Sequence, residues 1–134
     1  MTNTFEIVTD PQTGQQVYES KEIKLIVAFN DFEKKMNWYD GESACDALGN
    51  GWRMPSVMEL WLFQKVFFDI EMGNFKCDFY WSQVGGRWYH FSQPRGLAVD
   101  DSRESLKWVR AVKSIALTEA EAEINTKIFK IIRP

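Results

Sequence analysis

The stretch NWYDGESACDALGNGWRMPSVMEL, residues 37 to 60, holds two helix-start signals on either side of a glycine-rich segment. Asn37 is a typical helix N-cap with Asp40 three residues later, and apolar residues then recur at helical spacing as far as Leu48. Gly49 is typical of a residue that ends a helix. The stretch therefore predicts a helix, a glycine exit and a short crossover into a second helix.

The second helix is predicted to begin just after Pro55. Ser56 and Glu59 form the S-x-x-E capping box that marks a helix start. Residues 57 to 70 contain ten apolar residues, and their four polar residues do not form one solvent-facing stripe. We expect such a helix to be covered on more than one side, either by the C-terminal extension from 114 to 134 or by another subunit.

Short β-rich runs surround the two helices. Residues 5–8 and 23–29 flank a turn-forming segment and predict an N-terminal pair of strands. Residues 79–83 and 87–93 flank a Gly-Gly pair and predict a hairpin, and residues 105–113 predict a further strand.

Two more elements are predicted at the C-terminus. Thr118 is a cap candidate for residues 117–124, and residues 126–132 have the composition of a last strand. The whole pattern predicts an α+β fold in which two helices pack on small antiparallel sheets, within one domain that covers residues 1–134.

Composition limits the function classes. The chain has 134 residues, 45% of them hydrophobic and 26% charged, as in ordinary soluble domains. A net charge of -3 argues against a nucleic-acid partner. The N-terminus lacks the features of a secretory signal, and no apolar run reaches the roughly 18 residues of a membrane helix. We expect no membrane span and a cytoplasmic location for the sequence as it stands, or an extracellular one if a leader has been removed.

A set of residues follows, in order, the pattern of one bacterial family. The set comprises Trp38, Ala44, Cys45, Leu48, Gly49, GWRMP (51–55), Glu59, Leu60, YWS (80–82) and WVRAV (108–112). The chain resembles the Lcl C-terminal-domain family, which looks like a divergent C-type-lectin-like fold in the same fold group as formylglycine-generating enzymes. The resemblance covers residues 38–113 and implies a C-type-lectin-like fold with a long loop region.

Three tryptophans and one arginine of this set are expected to be structural. Trp38, Trp52 and Trp81 can each bury a large apolar area and anchor the helices on a sheet. Arg53 is expected to hold backbone carbonyls or a carboxylate with its planar guanidinium.

The cysteines depart from the family pattern. The family commonly has a cysteine where this chain has Ala111, and a disulfide often joins that strand to the first helix in this fold group. Cys45 has therefore lost the usual partner. A bridge to Cys77 is possible, but two free thiols fit better with a chain that shows no leader.

Neither metal binding nor catalysis is expected. Calcium-binding lectins of this fold use a Glu-Pro-Asn or Gln-Pro-Asp triplet, whereas Gln93 and Pro94 are followed here by the cation Arg95. The single histidine, His90, excludes a multi-histidine metal centre. No nucleophile, base and orienting group can be assembled from the spacing, so we expect no cofactor.

The predicted ligand-binding surface is the loop face, formed by the loop from 93 to 105 and the strand beside it. Its candidate residues combine charges of both signs with rings for stacking: Trp88, Tyr89, Arg95, Asp100, Asp101, Arg103 and Glu104. The alternative for each is ordinary, with rings in the core and charges that serve solubility.

These observations favour a non-catalytic module that binds a glycan or a protein through the loop face without calcium. The first alternative is a structural or assembly subunit of a larger bacterial or phage-related complex, acting through the apolar helix 57–70, which would also suit a homo-oligomer. The second alternative is an enzyme of the formylglycine-generating type that depends on Cys77.

Overall fold

The computed structural model of the chain describes residues 5–91 and 102–115. Within them the protein is α+β, with two helices and two small antiparallel sheets, which confirms the predicted class. In chain order the elements are β1 (Glu6–Thr9), β2 (Gln16–Ser20), β3 (Leu25–Ala28), α1 (Trp38–Leu48), α2 (Val57–Val66), β4 (Phe79–Trp81), β5 (Trp88–His90) and β6 (Val112–Ser114). The elements expected at 117–124 and 126–132 lie outside the described residues.

The larger sheet has the strand order β1-β2-β3-β6, and every neighbouring pair is antiparallel. The prediction that residues 5–8 and 23–29 form a pair is wrong, because β2 lies between them and pairs with both. Polar residues interrupt the β2 sequence QVYES, so its composition is a weak strand signal. Neighbouring strands, rather than intrinsic preference, stabilise it.

Helix α1 begins and ends at the predicted residues. The Asn37 side chain accepts a hydrogen bond of 2.8 Å from the backbone N–H of Asp40. Gly49 follows the helix with φ of 67°, a conformation that glycine adopts without steric cost. The local signals of the opening stretch are therefore confirmed for this helix.

Helix α2 has both halves of the predicted capping box. The Ser56 hydroxyl accepts from the Glu59 N–H at 3.0 Å, and the Glu59 carboxylate accepts from the Ser56 N–H at 2.8 Å. The helix ends at Val66 and Phe68–Ile70 form a 3-10 turn, so the helix predicted for 57–70 is too long. The backbone leaves helical geometry at Phe67, whose ring is fully buried.

The smaller sheet is the predicted hairpin. Tyr80 pairs with Tyr89, and Trp81 pairs with Trp88. The Ser82 N–H donates to the Arg87 carbonyl at 3.1 Å and closes the connecting turn.

The strand predicted for 105–113 is wrong in extent. Lys107 makes one isolated bridge to Met36, Trp108 makes one to Tyr80, and regular pairing begins at β6. This segment passes from one partner to the next, so that no continuous ladder forms.

The four-stranded sheet separates two core clusters, because successive side chains of a strand point to opposite faces. Tyr18 of β2 packs in one cluster with Phe63 of α2, and the neighbouring Val17 packs in the other with Cys45 of α1. Each helix therefore contributes to a different cluster. Neither of these two helices is long and apolar enough to cross a membrane.

Candidate functional site

The described part of the predicted binding loop, residues 93–105, is a tight turn at residues 102–105. The Ser105 N–H donates to the Ser102 carbonyl at 3.1 Å, and Arg103 and Glu104 are exposed between them. Three other predicted binding residues lie outside the described residues: Arg95, Asp100 and Asp101.

Arg103 is fixed to two elements. Its carbonyl accepts from the Trp38 N–H at 2.9 Å, and its guanidinium carbon lies 5.8 Å from the centroid of the Trp38 ring. The guanidinium also packs over Gly85 in the β4–β5 turn, where a Cβ atom would collide with it. The Trp38 indole N–H donates to the Ser82 carbonyl at 2.9 Å, which joins helix α1 to the same turn. Contacts with Trp38 and with the β4–β5 turn therefore hold Arg103 in place.

Tyr89 does not lie at the surface. Only 1% of it is exposed, and its ring meets that of Phe91 edge-on at a centroid distance of 5.3 Å. It pairs across the hairpin with the buried Tyr80, so both rings point into the core. This corrects the expectation that Tyr89 offers a face for stacking.

The opposite side of the hairpin carries rings that reach solvent. Phe79 is 37% exposed, and its centroid lies 4.8 Å from that of Trp88 and 4.5 Å from that of His90. We call Phe79, Trp88 and His90 the hairpin face. Alternate residues of a strand point to the same side, so Trp88 and His90 share one side and Tyr89 lies on the other. The sequence alone could therefore have identified this face.

A buried lysine holds the rings of this region together. The Lys107 ammonium lies 4.9 Å from the centroid of Phe79, 5.0 Å from that of Trp81 and 5.5 Å from that of Trp88. Such cation–π contacts are strongest where water is excluded. Lys107 therefore packs against two rings of the hairpin face and against the buried Trp81.

The other residues predicted as structural lie in or against the core. Trp81 is fully buried, and its indole N–H donates to the Met36 carbonyl at 3.0 Å. Trp52 is also buried. Arg53 donates two hydrogen bonds, of 2.7 and 2.9 Å, to the two carboxylate oxygens of Glu59.

The contact with Arg53 lowers the pKa of the Glu59 carboxyl. Burial of the Glu59 carboxyl opposes its ionisation, but hydrogen bonds from Arg53 and Ser56 outweigh burial and lower its pKa. The same hydrogen bond raises the pKa of Arg53. Both groups are therefore charged at neutral pH and join the start of α2 to the segment before it.

The sequence analysis missed a buried charged cluster centred on Asp31. Its Oδ1 accepts from Arg110 Nε at 2.8 Å, and its Oδ2 accepts from Lys76 Nζ at 2.6 Å and from the Tyr80 hydroxyl at 2.7 Å. Burial and the neighbouring Asp31 charge raise the pKa of Tyr80, which keeps the phenol protonated.

Arg110 completes this cluster. Its side chain is fully buried, and its guanidinium also donates to the carbonyls of Ala28, Gly73 and Asn74 at 3.1, 2.9 and 3.3 Å. All three of its nitrogens are hydrogen-bonded, so this arrangement is typical of a structural tie rather than of an open site. Its only sequence signal was an arginine within the apolar run WVRAV.

The two cysteines are free thiols with different surroundings. Cys45 is buried and Cys77 is exposed. Burial, with a smaller effect of the neighbouring Asp46 charge, raises the pKa of Cys45 to about 12. Its thiol is a weak nucleophile at neutral pH. Among residues 5–91 and 102–115, no group of three or more His, Cys, Asp or Glu is placed to hold a metal ion.

Comparison of the chain with protein-family models, with curated proteins and with solved structures finds no match.

Proposed function

We propose that the chain is a non-catalytic ligand-recognition module of C-type-lectin-like fold, which binds a glycan or a protein through the loop face without calcium. The observation that carries this proposal is the exposure of the Phe79 ring on the hairpin face and of the Arg103 and Glu104 charges at the turn 102–105. Aromatic and arginine side chains are also the residues that dominate recognition surfaces.

The arrangement of the chain supports the fold assignment in this proposal. β6, at the end of the described core, pairs with β3 of the N-terminal sheet, and the Ile115 N–H donates to the Lys24 carbonyl at 3.1 Å. The first and last strands of the described chain therefore belong to one sheet, at its opposite edges.

A glycan array, read with and without a calcium chelator, tests the loop face. We expect a chelator-resistant signal that is lost in Arg103→Ala and in Phe79→Ala. The matched control is Lys21→Ala, which removes an exposed cation between β2 and β3 and should bind as the wild type does. A signal that survives both the Arg103 and the Phe79 substitution would contradict the proposal for glycans, and a blank array would leave a protein as the ligand.

The assembly alternative has a specific observation in its favour. Met58 is 64% exposed on α2, and Ile70 and Met72 are exposed in and after the 3-10 turn. If this surface joins subunits, light scattering should give a multiple of the 15.7 kDa chain mass, and Met58→Glu should return it to 15.7 kDa. A monomer mass for the wild type at working concentrations would contradict this alternative.

The enzymatic alternative is less well supported. A reactive cysteine pair needs two accessible thiols, whereas Cys45 is buried and its pKa is raised to about 12. The test is turnover of a cysteine-containing peptide, which the Cys77→Ser variant should lose if the chain is such an enzyme.

A further inference from the structure

Strand β1 lies at an edge of the larger sheet. It pairs with β2 on one side, and no described strand lies on its other side. Its residues are also accessible, because Glu6 and Thr9 are exposed and Ile7 is 49% exposed. An open edge is a template for a further strand, and proteins usually cover or shorten such edges. The outer side of β1 is therefore a place where another chain can pair.

The hydrogen-bonding groups of this edge can be assigned from the turn that follows it. The Asp10 N–H donates to the Gln15 carbonyl at 2.8 Å, so the backbone of Asp10 faces the β2 side. The backbone groups of successive residues in a strand point to opposite sides. The N–H and C=O groups of Ile7 and Thr9 therefore point away from β2, where they can pair with an incoming strand.

Two acidic side chains lie next to each other on one face of this edge. Glu6 is directly opposite Glu19 in the register of β1 and β2. Neither carboxylate forms an ion pair within the described part of the chain. In the same row of the sheet, Lys113 of β6 is two strands away from Glu19 and lies 3.9 Å from Asp10. Like charges that face each other destabilise a strand pair, so a cation beside Glu6 would be stabilising.

The other face of β1 is apolar and incompletely covered. Ile7 is opposite Tyr18, and the same row continues through Val27 of β3 to Val112 of β6. Those three residues are buried, whereas Ile7 at the end of the row is half exposed. An apolar side chain on a further strand would cover Ile7 and extend the row.

The two faces together define the chemistry of a partner strand. A lysine or arginine suits the position beside Glu6, and an apolar residue suits the next position, beside Ile7. A second copy of β1 would bring further glutamates to the edge, so charge opposes pairing between two copies. The net charge of -3 also favours the approach of a cationic partner.

We infer that the outer edge of β1 binds an extended segment of a partner protein in which basic and apolar residues alternate. The backbone of that segment pairs with Ile7 and Thr9, a basic side chain lies beside Glu6, and an apolar side chain covers Ile7. In such strand addition the main chain supplies affinity and the alternate side chains supply specificity. β1 is not part of the loop face, so the inference stands independently of the proposed function.

NMR titration of the ¹⁵N-labelled full chain with capped heptapeptides tests this inference. The probe alternates lysine with valine, so that in either strand direction its lysines share one face and its valines the other. We expect saturable shifts and slower hydrogen exchange of the Ile7 and Thr9 amides. One control peptide alternates glutamate with valine, and the other alternates lysine with proline, which cannot donate to a strand ladder. Neither control should bind.

Several results would overturn the inference. One is the absence of shifts at the Ile7 and Thr9 amides, and another is equal shifts with the lysine–proline control. Shifts confined to β5 would place the peptide on the hairpin instead. Concentration-dependent shifts of β1 without peptide would show that a second copy occupies the edge. Slow exchange of the same two amides in the free monomer would show that the edge is already covered.

Substitutions in β1 separate the backbone contacts from the charge. Ile7→Pro removes an outward N–H that the β1–β2 pair does not use, so the chain should fold and lose peptide binding. Ile7→Ala keeps that N–H and should weaken binding only several-fold. Peptide binding that persists in a folded Ile7→Pro variant would contradict strand addition.

Charge reversal tests the basic position of the partner. Glu6→Lys should weaken binding of the lysine–valine peptide about fivefold. The matched control Glu22→Lys, in the exposed β2–β3 turn, should leave it within about twofold. Unchanged affinity in Glu6→Lys would contradict the inference even if Ile7→Pro does not fold.

Discussion

At the scale of single residues, Arg110 shows how the described structure tolerates a buried charge. It is fully buried, and its charge is tolerated because Asp31 and three backbone carbonyls surround it. Lys76, by contrast, reaches Asp31 from the surface. The two cations on one carboxylate therefore differ in their importance for stability.

Replacing Asp31 by alanine leaves Arg110 buried without its counter-ion. We expect the free energy of unfolding to fall by about 3–5 kcal/mol in urea titrations followed by tryptophan fluorescence. Glu33→Ala, an exposed acid two positions further on, should change it by no more than about 0.5 kcal/mol. Equal effects of the two substitutions would contradict a structural role for the Asp31–Arg110 pair.

Glu59 gives the protein a pH dependence of known sign. Its pKa in the folded chain is lowered from its ordinary value of about 4.5, so the unfolded state takes up its proton first as the pH falls. The stability that the Arg53–Glu59 contact contributes is present above about pH 4.5 and is lost as the pH falls below it. Glu59→Gln should therefore lower stability at pH 7 and reduce the dependence of stability on pH below about 4.5. Retention of the full wild-type slope in this variant would show that other carboxyls cause it.

The two thiols should react at very different rates. At pH 8, Ellman's reagent should label Cys77 of the folded chain rapidly, whereas Cys45, whose pKa is about 12 and which is buried, should stay unlabelled. A second equivalent should react only in guanidinium chloride. Rapid release of two equivalents from the folded chain would mean that Cys45 is accessible.

At the scale of elements, helix α1 lies against the core through a glycine. A Cβ atom at Gly41 would lie 2.9 Å from Val109 Cγ2 and 3.3 Å from Met54 Sδ. The helix therefore approaches this part of the core more closely than any other residue would allow.

Gly41→Ala separates helix propensity from packing. Alanine should favour the helix by about 1 kcal/mol, but the overpacking should cost more, so we expect a net loss of about 1–2 kcal/mol in urea unfolding. Ser43→Ala, on an exposed position of the same helix, is the control and should be neutral or slightly stabilising. A stabilised Gly41→Ala variant would show that α1 shifts to accept the methyl group.

Element boundaries that depend on local chemistry were predictable. Asn37, Gly49 and Ser56 each act within a few residues of the chain, and each has the predicted role. β2 and the end of α2 were not predictable, because neighbouring strands define the first and the burial of Phe67 defines the second. Residues 105–111 read as a strand but exchange partners along their length, which composition alone does not reveal.

The candidate sites show the same limit. Arg53 and the carboxylate that it binds are six positions apart, which is close enough for a sequence motif to suggest the contact. The Asp31–Arg110 pair joins residues 79 positions apart, and a sequence without a known fold does not bring them together. For Tyr89 the strand was predicted correctly and only the direction of the side chain was wrong.

At the scale of the whole molecule, the four-stranded sheet lies between the two core clusters and should be the most stable part of the fold. β3 is paired on both sides, with β2 and β6, whereas β1 pairs only with β2 among the described strands. Val27 in β3 is fully buried, and β1 is mostly exposed. Native-state hydrogen exchange should therefore show the slowest amides in β3 and faster exchange in β1. Equal protection of β1 and β3 would contradict this order.

The position of Arg110 in the chain also affects biosynthesis. Its hydrogen-bond partners precede it by 36 to 82 residues, so each is synthesised well before the cation that it will bind. Until residue 110 leaves the ribosome exit tunnel, the Asp31 carboxylate has no buried counter-ion and the cluster cannot close. We expect the nascent chain to remain incompletely folded until nearly all of the described domain has emerged, so that one late arginine sets the moment at which folding can finish.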